Sequence, residues 1–593
     1  MGTMKIKIWI FFICVMQMQL GITQNKKEYQ SYNPANDSMQ VIEGKAWYNE
    51  VKDFYDRLPA RSEQTFRKEL WALSKNSAGL QLRFRTNAKE VVIKYIVTGN
   101  KQMPHMPETG VSGIDLYSKN IDGNWLWAAG KYSFGDTIVY HFTDLPSGDQ
   151  HVNNRDYTLY FPLYNSVKWM EISVPKENIF IPLPVRMDKP IIVYGTSIAQ
   201  GACASRPGLA WTNILARKLD RTVINLGFSG NGRLEPALIN LLSEINAKLY
   251  VLDCLPNLIS PSYVTNEELK KRIIESISQL QRKRSAIPIL LTEHDGYTDG
   301  ELNASRKKAY QDVNAVLKNV FDSLVSAGTK NIYLLSKTKI NQNIESMVDG
   351  THPNDIGMMH YAEAYEIIIK KIFNESEGTI STTIPVTQRR DAATYDWETR
   401  HNEVLIYNKI HSPDLVLIGN SITNFWGGEP SSKIKRGLDS WEKYFGKRNV
   451  VNMGFGWDRI ENVLWRINHG ELDSIAAKNI VLMIGTNNLQ RNTDQEIVEG
   501  LKFLVTVILI KQPKAKILFM GILPRKGMEE RVVEINKKIS KLKFNQQVKY
   551  ANAGKYFLKT NKKINELLFT DGLHPNADGY EKLGAFINKR IGN

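Results

Sequence analysis

The stretch IIVYGTSIAQG, residues 191–201, joins a short apolar strand directly to a serine and a turn of small residues. Such a turn from strand into helix exposes the hydroxyl of Ser197 at the carboxyl edge of the sheet, where open α/β folds place their active sites. The stretch LVLIGNSI, residues 415–422, repeats the arrangement around Ser421. A serine that follows a strand is commonly a helix N-cap, so either stretch alone is weak evidence.

Each serine is followed, in the same order, by three further motifs. After Ser197 these are NLGFSGN (225–231), DCLPN (253–257) and DGTH (349–352). After Ser421 they are NMGFGWD (452–458), GTNN (485–488) and DGLH (571–574). The histidine lies 155 residues after the serine in the first set and 153 in the second. Two ordered sets at matching spacing predict a duplicated catalytic domain.

The residue types in each set are those that acyl transfer needs, namely a nucleophile, a base and a group that orients the base. Ser197 with His352 and Ser421 with His574 supply the first two. An aspartate stands three residues before each histidine, and a DxxH turn brings both side chains to one place. Asp349 and Asp571 are therefore expected to fix the tautomer of the imidazoles.

Donors for the tetrahedral oxyanion are expected at the ends of the neighbouring strands. The side-chain amides of Asn257 and Asn487 are one pair of candidates, and the backbone N–H groups of Gly230 and Trp457 are another. The backbone N–H of each serine completes the set. These residues predict an oxyanion hole in each copy.

The motifs resemble those of the SGNH/GDSL hydrolase superfamily. The first half is similar to bacterial GDSL-type esterases whose N-terminal β-domain carries a GxDLY motif, here GIDLY at residues 113–117. The second half resembles the platelet-activating-factor acetylhydrolase-like branch. The resemblance implies two flavodoxin-like three-layer α/β/α domains, with no cofactor and no metal. It assigns Ser197, Gly230, Asn257 and His352 with Asp349, and Ser421, Asn487 and His574 with Asp571.

Two positions depart from the family pattern. The first copy has DCLPN, without the glycine that usually stands two residues before the asparagine. The second copy has Trp457 where a glycine is expected, and a Cβ resists the positive φ that glycine accepts. Trp457 is accordingly expected either to wall the acyl pocket or to mark a weakened site.

The pattern of elements predicts five segments along the chain. Short alternating strands predict a β-sandwich or jelly-roll, whereas strands that alternate with helices predict parallel sheets. The predicted segments are a signal peptide (1–23), a β-sandwich domain (38–185), a first hydrolase domain (188–375), a polar linker (376–399) and a second hydrolase domain (400–593).

The N-terminus and the charge bear on location and partners. Lys5 and Lys7 precede an apolar run that is too short to span a membrane, so a cleaved signal peptide and a secreted or periplasmic protein are expected. The net charge of +16 comes from scattered lysines, and an exported protein rarely meets nucleic acid, so no nucleic-acid partner is expected. Cys203 and Cys254 are expected to be buried free thiols, with a single disulfide as the alternative.

The sequence favours an exported esterase that removes O-acetyl groups from carbohydrate, such as xylan, pectin or another glycan. A lipid-directed esterase of the lysophospholipase or platelet-activating-factor type is the first alternative. The second alternative has one copy acting only as a glycan-binding module on a retired hydrolase scaffold. The sequence leaves the glycan, the position of the acetyl group and the oligomeric state open.

Overall fold

The computed structural model describes residues 27–149, 152–259, 264–375 and 377–591. The predicted signal peptide, residues 1–23, lies outside the described residues. Within those ranges, no helix has both the length and the apolar character needed to cross a bilayer.

The N-terminal part is a β-sandwich of two antiparallel sheets. One sheet has the order β1-β10-β4-β8-β7 and the other β11-β3-β9-β5-β6, with β2 paired to β3. The inward side chains of both sheets form one apolar core that includes Leu82, Ile93 and Leu159. The strands are β1 Tyr29–Tyr32, β2 Ile42–Glu43, β3 Gln81–Thr86, β4 Val91–Val97, β5 Asp115–Lys119, β6 Trp125–Ala128, β7 Lys131–Phe134, β8 Ile138–Phe142, β9 Arg155–Tyr160, β10 Val167–Pro175 and β11 Phe180–Pro182, and the two helices here are α1 Lys68–Ser74 and α2 Glu108–Val111.

The first hydrolase domain is built on a five-stranded parallel sheet in the order β13-β12-β14-β15-β16. Every residue of β12, β13 and β14 is buried, as expected for a sheet covered by helices on both faces. The elements are β12 Ile191–Gly195, α3 Ser197–Gln200, α4 Trp211–Leu219, β13 Val223–Gly227, α5 Pro236–Leu242, β14 Leu249–Asp253, α6 Asn266–Arg284, β15 Ile289–Thr292, α7 Ala304–Ser326, β16 Ile332–Leu335, α8 Lys337–Ile340 and α9 Asp355–Phe373.

The second hydrolase domain repeats this topology, with the strand order β18-β17-β19-β20-β21 and all strands parallel. Each domain therefore has its serine-bearing strand between two neighbours, and its second strand at an open edge. The elements are α10 Trp397–His411, β17 Leu415–Gly419, α11 Ser421–Asn424, α12 Leu438–Phe445, β18 Val450–Gly454, α13 Ile460–Arg466, β19 Asn479–Met483, α14 Asp494–Lys511, β20 Lys516–Met520, α15 Glu529–Ile539, β21 Val548–Ala551 and α16 Ala577–Ile591.

The segment between the two hydrolase domains packs against its neighbours. Its polar composition alone predicts a linker, yet Thr382, Gln388 and Arg390 are buried. Each of these side chains has a hydrogen-bond partner in the second domain, which offsets the cost of burying a polar group. Helix α10 begins at Trp397, inside the predicted linker.

Candidate active sites

The first site joins the amino end of α3 to the loop before α9. Ser197 Oγ lies 2.9 Å from His352 Nε2, and His352 Nδ1 lies 2.8 Å from Asp349 Oδ2. The other carboxylate oxygen of Asp349 accepts hydrogen bonds from the backbone N–H groups of Thr351 and His352. The aspartate is thus held by its own turn, and the imidazole presents Nε2 to the serine.

The second site has the same relay on α11 and the loop before α16. Ser421 Oγ lies 2.9 Å from His574 Nε2, and His574 Nδ1 lies 2.7 Å from Asp571 Oδ2. Asp571 Oδ1 accepts from the backbone N–H groups of Leu573 and His574. The structure therefore brings together the six predicted serine, histidine and aspartate residues as two separate relays.

Charge in the relays is set by burial and by the hydrogen bonds of the DxxH turns. Burial opposes ionisation of Asp349 and Asp571, but hydrogen bonds from the following histidine lower the pKa of Asp349, and they lower that of Asp571 to about 2. Burial lowers the pKa of His574, and Arg436 lowers it further, against the raising effect of Asp571. Both aspartates are accordingly ionised at neutral pH, and His574 is a neutral base there.

The predicted oxyanion loops have a positive φ at the same position in the two domains. φ is +67° at Gly230 and +62° at Trp457. A Cβ at Gly230 would meet nothing within 4 Å, so this position has room for a side chain. Trp457 adopts this conformation although its Cβ disfavours it, since a left-handed residue other than glycine costs about 1–2 kcal/mol. The surrounding hydrogen bonds must offset that cost.

The two predicted amide donors are held differently. Asn257 Oδ1 accepts a hydrogen bond of 3.0 Å from the backbone N–H of Gly232, so the oxygen of this amide is the anchored atom. Asn487 Nδ2 donates to the carbonyl of Asp458 at 3.0 Å, which uses one of its two N–H groups. In both domains the third-strand asparagine is thus tied to the loop that carries Gly230 or Trp457.

A buried arginine that the motifs did not reveal supports each of these loops. Arg57 of the β-domain donates to the carbonyls of Asn225 and Gly227 at 3.0 Å. In the second domain, Arg400 of α10 donates to Gly454 at 2.8 Å and to Asn452 at 3.3 Å. In the part of the chain that the structure describes, β13 and β18 are at the open edges of their sheets, so these carbonyls face no neighbouring strand. Each guanidinium supplies the missing donors at an equivalent pair of residues.

The aromatic neighbours of the two bases also differ in origin. The ring of His105, from the β-domain, stacks on His352 with centroids 5.7 Å apart. The ring of Phe425, from the second hydrolase domain itself, lies 5.1 Å from that of His574. Neither residue has a motif or a spacing that could have identified it, since only the fold brings these rings together.

Cys203 and Cys254 are both free and buried, as the sequence favoured. Within the described residues, His105, Cys203 and His352 form one group whose ligand atoms lie within 4.8 Å of one another. In this arrangement both ring nitrogens of His352 are hydrogen-bonded, to Ser197 and to Asp349. Burial also raises the pKa of the Cys203 thiol to about 12, which disfavours the thiolate that metals bind.

Three parts of the chain match known protein families. Residues 188–370 and residues 417–582 each match a GDSL-like Lipase/Acylhydrolase family. Residues 29–180 match the N-terminus of SGNH-hydrolase-type esterases, the GxDLY family.

The chain is also similar to individual proteins of known sequence or structure. The chain is 31% identical over 183 residues to the platelet-activating factor acetylhydrolase IB subunit alpha2 of Homo sapiens, which covers 31% of this chain and 70% of that protein. It is 30% identical over 192 residues to the same subunit of Rattus norvegicus, covering 32% and 80%. A solved GDSL-like lipase from Bacteroides ovatus superposes with a TM-score of 0.53 and 29% identity, over 58% of this chain and 98% of that one.

Proposed function

The chain belongs to the GDSL-like (SGNH) hydrolases and is a carboxylic ester hydrolase, and on that premise we propose that it is an exported esterase with two serine active sites. We propose further that both sites remove O-acetyl groups from carbohydrate, such as plant polysaccharide or another glycan. The observation that carries the proposal is the closed Ser–His–Asp relay in each domain, with serine-to-histidine distances of 2.9 Å in both.

The proposed reaction follows from that geometry. The histidine Nε2 takes the hydroxyl proton as the serine oxygen attacks the acyl carbon, and the aspartate stabilises the imidazolium that forms. The oxyanion is held by the backbone N–H of Gly230 or Trp457 and by the amide of Asn257 or Asn487. The histidine then gives its proton to the leaving alcohol, and water hydrolyses the acyl-enzyme by the same steps in reverse order.

An acetylated carbohydrate is favoured by what surrounds the second site. Trp457 carries a proposed oxyanion N–H and is 40% exposed, so part of a large aromatic residue is open to solvent at this loop. Aromatic faces suit sugar rings, and the ring of Phe425 lies 5.1 Å from that of His574. The relatives named acetylhydrolases support acetyl as the group removed.

A lipid-directed esterase is the second candidate, and one observation favours it. Val348 and Ile356, on either side of His352 in the chain, are about half exposed. Apolar side chains beside an active site suit an amphiphilic substrate. The relatives' own name, platelet-activating factor acetylhydrolase, agrees with this reading.

A comparison of polysaccharide and ester substrates separates the two candidate functions. Acetate release from acetylated xylan and pectin would be measured beside hydrolysis of p-nitrophenyl esters from acetate to long chains. The proposal predicts release of acetate from at least one polysaccharide and a steep decline with chain length. The Ser197→Ala/Ser421→Ala variant is the matched control for both assays. Rates that increase with chain length, with no acetate released from any glycan, would exclude the carbohydrate proposal in favour of a lipid substrate.

A further inference from the structure

The peptide group between Gly456 and Trp457 carries the proposed oxyanion donor of the second site. In a trans peptide the C=O and the N–H point in opposite directions, so a group that binds the carbonyl of Gly456 sets the direction of the Trp457 N–H. Two side chains from the segment before α10 bind that carbonyl. Gln388 Nε2 donates to it at 2.9 Å and Tyr395 Oη at 3.1 Å.

The equivalent peptide of the first site is held by a local residue. The carbonyl of Ser229 accepts a hydrogen bond of 2.8 Å from Asn231 Nδ2, two residues further along the chain. Asn231 Oδ1 in turn accepts from Arg67 of the β-domain at 2.6 Å. The amide of Asn231 therefore binds the peptide with its nitrogen and the β-domain with its oxygen.

The second domain has no such amide at this position. Asp458 stands where Asn231 stands in the first domain, and a carboxylate accepts hydrogen bonds but donates none. Asp458 cannot bind the carbonyl of Gly456, so the donor must come from elsewhere. The two N–H groups of Gln388 Nε2 go to Gly456 O and, at 3.1 Å, to Asp458 Oδ1.

The surroundings hold Gln388 in one arrangement. The side chain is 1% exposed, and its Oε1 accepts a hydrogen bond of 2.6 Å from the backbone N–H of Arg390. Asp458 Oδ1 is also fixed by Trp397 Nε1 at 2.8 Å. With every polar atom of its amide bonded, Gln388 has no equally good alternative rotamer or flipped amide.

We propose that Gln388 is a positioning residue for the second active site, which orients the oxyanion-binding N–H of Trp457 as Asn231 orients that of Gly230. This inference rests on the proposed role of the Trp457 N–H. It assigns a catalytic contribution to the segment between the two hydrolase domains, which the sequence identifies only as a linker. It also explains how the strained φ of Trp457 is maintained without a glycine.

The test uses the full chain with Ser197→Ala, so that only the second site contributes. Gln388→Met keeps the volume and removes both donors, and Gln388→Glu keeps the shape. Because Tyr395 Oη still donates to the carbonyl of Gly456, each is expected to lower kcat on p-nitrophenyl acetate by ~10-fold or more, short of the ~10²–10³-fold cost of losing an oxyanion donor outright, while KM stays near its starting value. Gln546→Glu, an exposed position in the same domain, is the charge control and is expected to leave both constants unchanged.

A mirror variant tests the shared role in the first site. In the Ser421→Ala background, Asn231→Asp keeps the acceptor for Arg67 but loses the donor to Ser229. The same fall in kcat at constant KM is expected there, with thermal unfolding unchanged, whereas a merely structural role would lower both stability and substrate binding.

The outcomes separate the inference from the proposed function. Activity that survives Ser197→Ala/Ser421→Ala would overturn the proposed function, and the inference with it. If that variant is inactive but Gln388→Met retains full kcat, the inference alone is overturned.

Discussion

In the first hydrolase domain, Arg57 of the β-sandwich donates to the edge carbonyls of Asn225 and Gly227. In the second hydrolase domain, Arg400 of α10 donates to the equivalent carbonyls of Asn452 and Gly454. Each guanidinium also faces the ring of the following phenylalanine, Phe228 or Phe455. The same edge is therefore completed by two unrelated elements.

The comparison extends to the reacting groups. His105 of the β-domain stacks on the first base, while the peptide of the second oxyanion loop is held by Gln388 of the intervening segment. In both cases the chain that precedes the hydrolase domain supplies side chains that the α/β core lacks. Each α/β core therefore takes supporting contacts from the segment that precedes it. Variants can test how far each depends on its own preceding segment.

Loss of a base is the change with the largest expected effect. In the Ser421→Ala background, His352→Gln is expected to reduce kcat on p-nitrophenyl acetate by roughly 10⁴–10⁶-fold, because His352 Nε2 is the group that takes the hydroxyl proton of Ser197. His574→Gln should do the same in the Ser197→Ala background. Substantial activity in either variant would mean that the relay in that domain does not carry the reaction.

Removing an edge arginine is expected to destabilise the strand that this arginine supports more than the equivalent strand of the other domain. Arg57→Met leaves the carbonyls of Asn225 and Gly227 without their side-chain donor, whereas after Arg400→Met the carbonyl of Gly454 keeps Asn424 Nδ2 at 3.0 Å; the cost is roughly 1–3 kcal/mol for each carbonyl left unpaired. Hydrogen exchange measured by mass spectrometry should show faster exchange in β13 for the first variant and in β18 for the second. Equal acceleration of both strands by either variant would argue against separate support.

Asp122 links the β-sandwich to the second site. Its carboxylate accepts from Arg390, Arg459 and Arg491, and Arg390 also donates to the carbonyl of Trp457. Asp122→Asn is expected to lower kcat of the second site by roughly 3- to 10-fold, about 1 kcal/mol of positioning, and to leave the first site unchanged. Asp136→Asn, in an exposed turn of the same domain, is the control. An equal fall at both sites would indicate general destabilisation of the β-sandwich.

The smallest expected effect is on pH dependence. His574 must be neutral to act as a base, and its pKa lies below the ordinary 6.5 because of burial and Arg436. In the Ser197→Ala background, kcat/KM should therefore fall only as the pH drops through a value below 6.5. Arg436→Gln removes a nearby cation, raises the pKa of His574, and should move this acid limb to higher pH by less than one unit. A shift to lower pH would contradict this account of the charges.

The sequence predicted most of the two sheets and the six relay residues. The helices Trp211–Leu219 and Ile460–Arg466 carry apolar residues at helical spacing, so their sequences indicate them. Helix α7 is hard to recognise from the sequence because, of its 23 residues, only Val313, Leu317 and Val320 are buried apolar side chains.

The supporting residues of the sites could not be predicted in the same way. Arg57 lies 168 residues before Asn225, and Gln388 lies 68 before Gly456. They belong to a β-domain and to a polar segment whose own patterns carry no catalytic motif. Hydrogen bonds between such distant residues are set by how the domains pack, which a motif cannot record.

The central claim is that the chain carries two working serine nucleophiles, and covalent labelling tests it most directly. The intact protein would be treated with a small fluorophosphonate, its mass would be measured by mass spectrometry, and it would then be digested to locate the adducts. The account predicts two adducts per chain, on Ser197 and Ser421, with one lost in each single serine-to-alanine variant. A chain that takes up one adduct or none, or that is labelled at other residues, would contradict it.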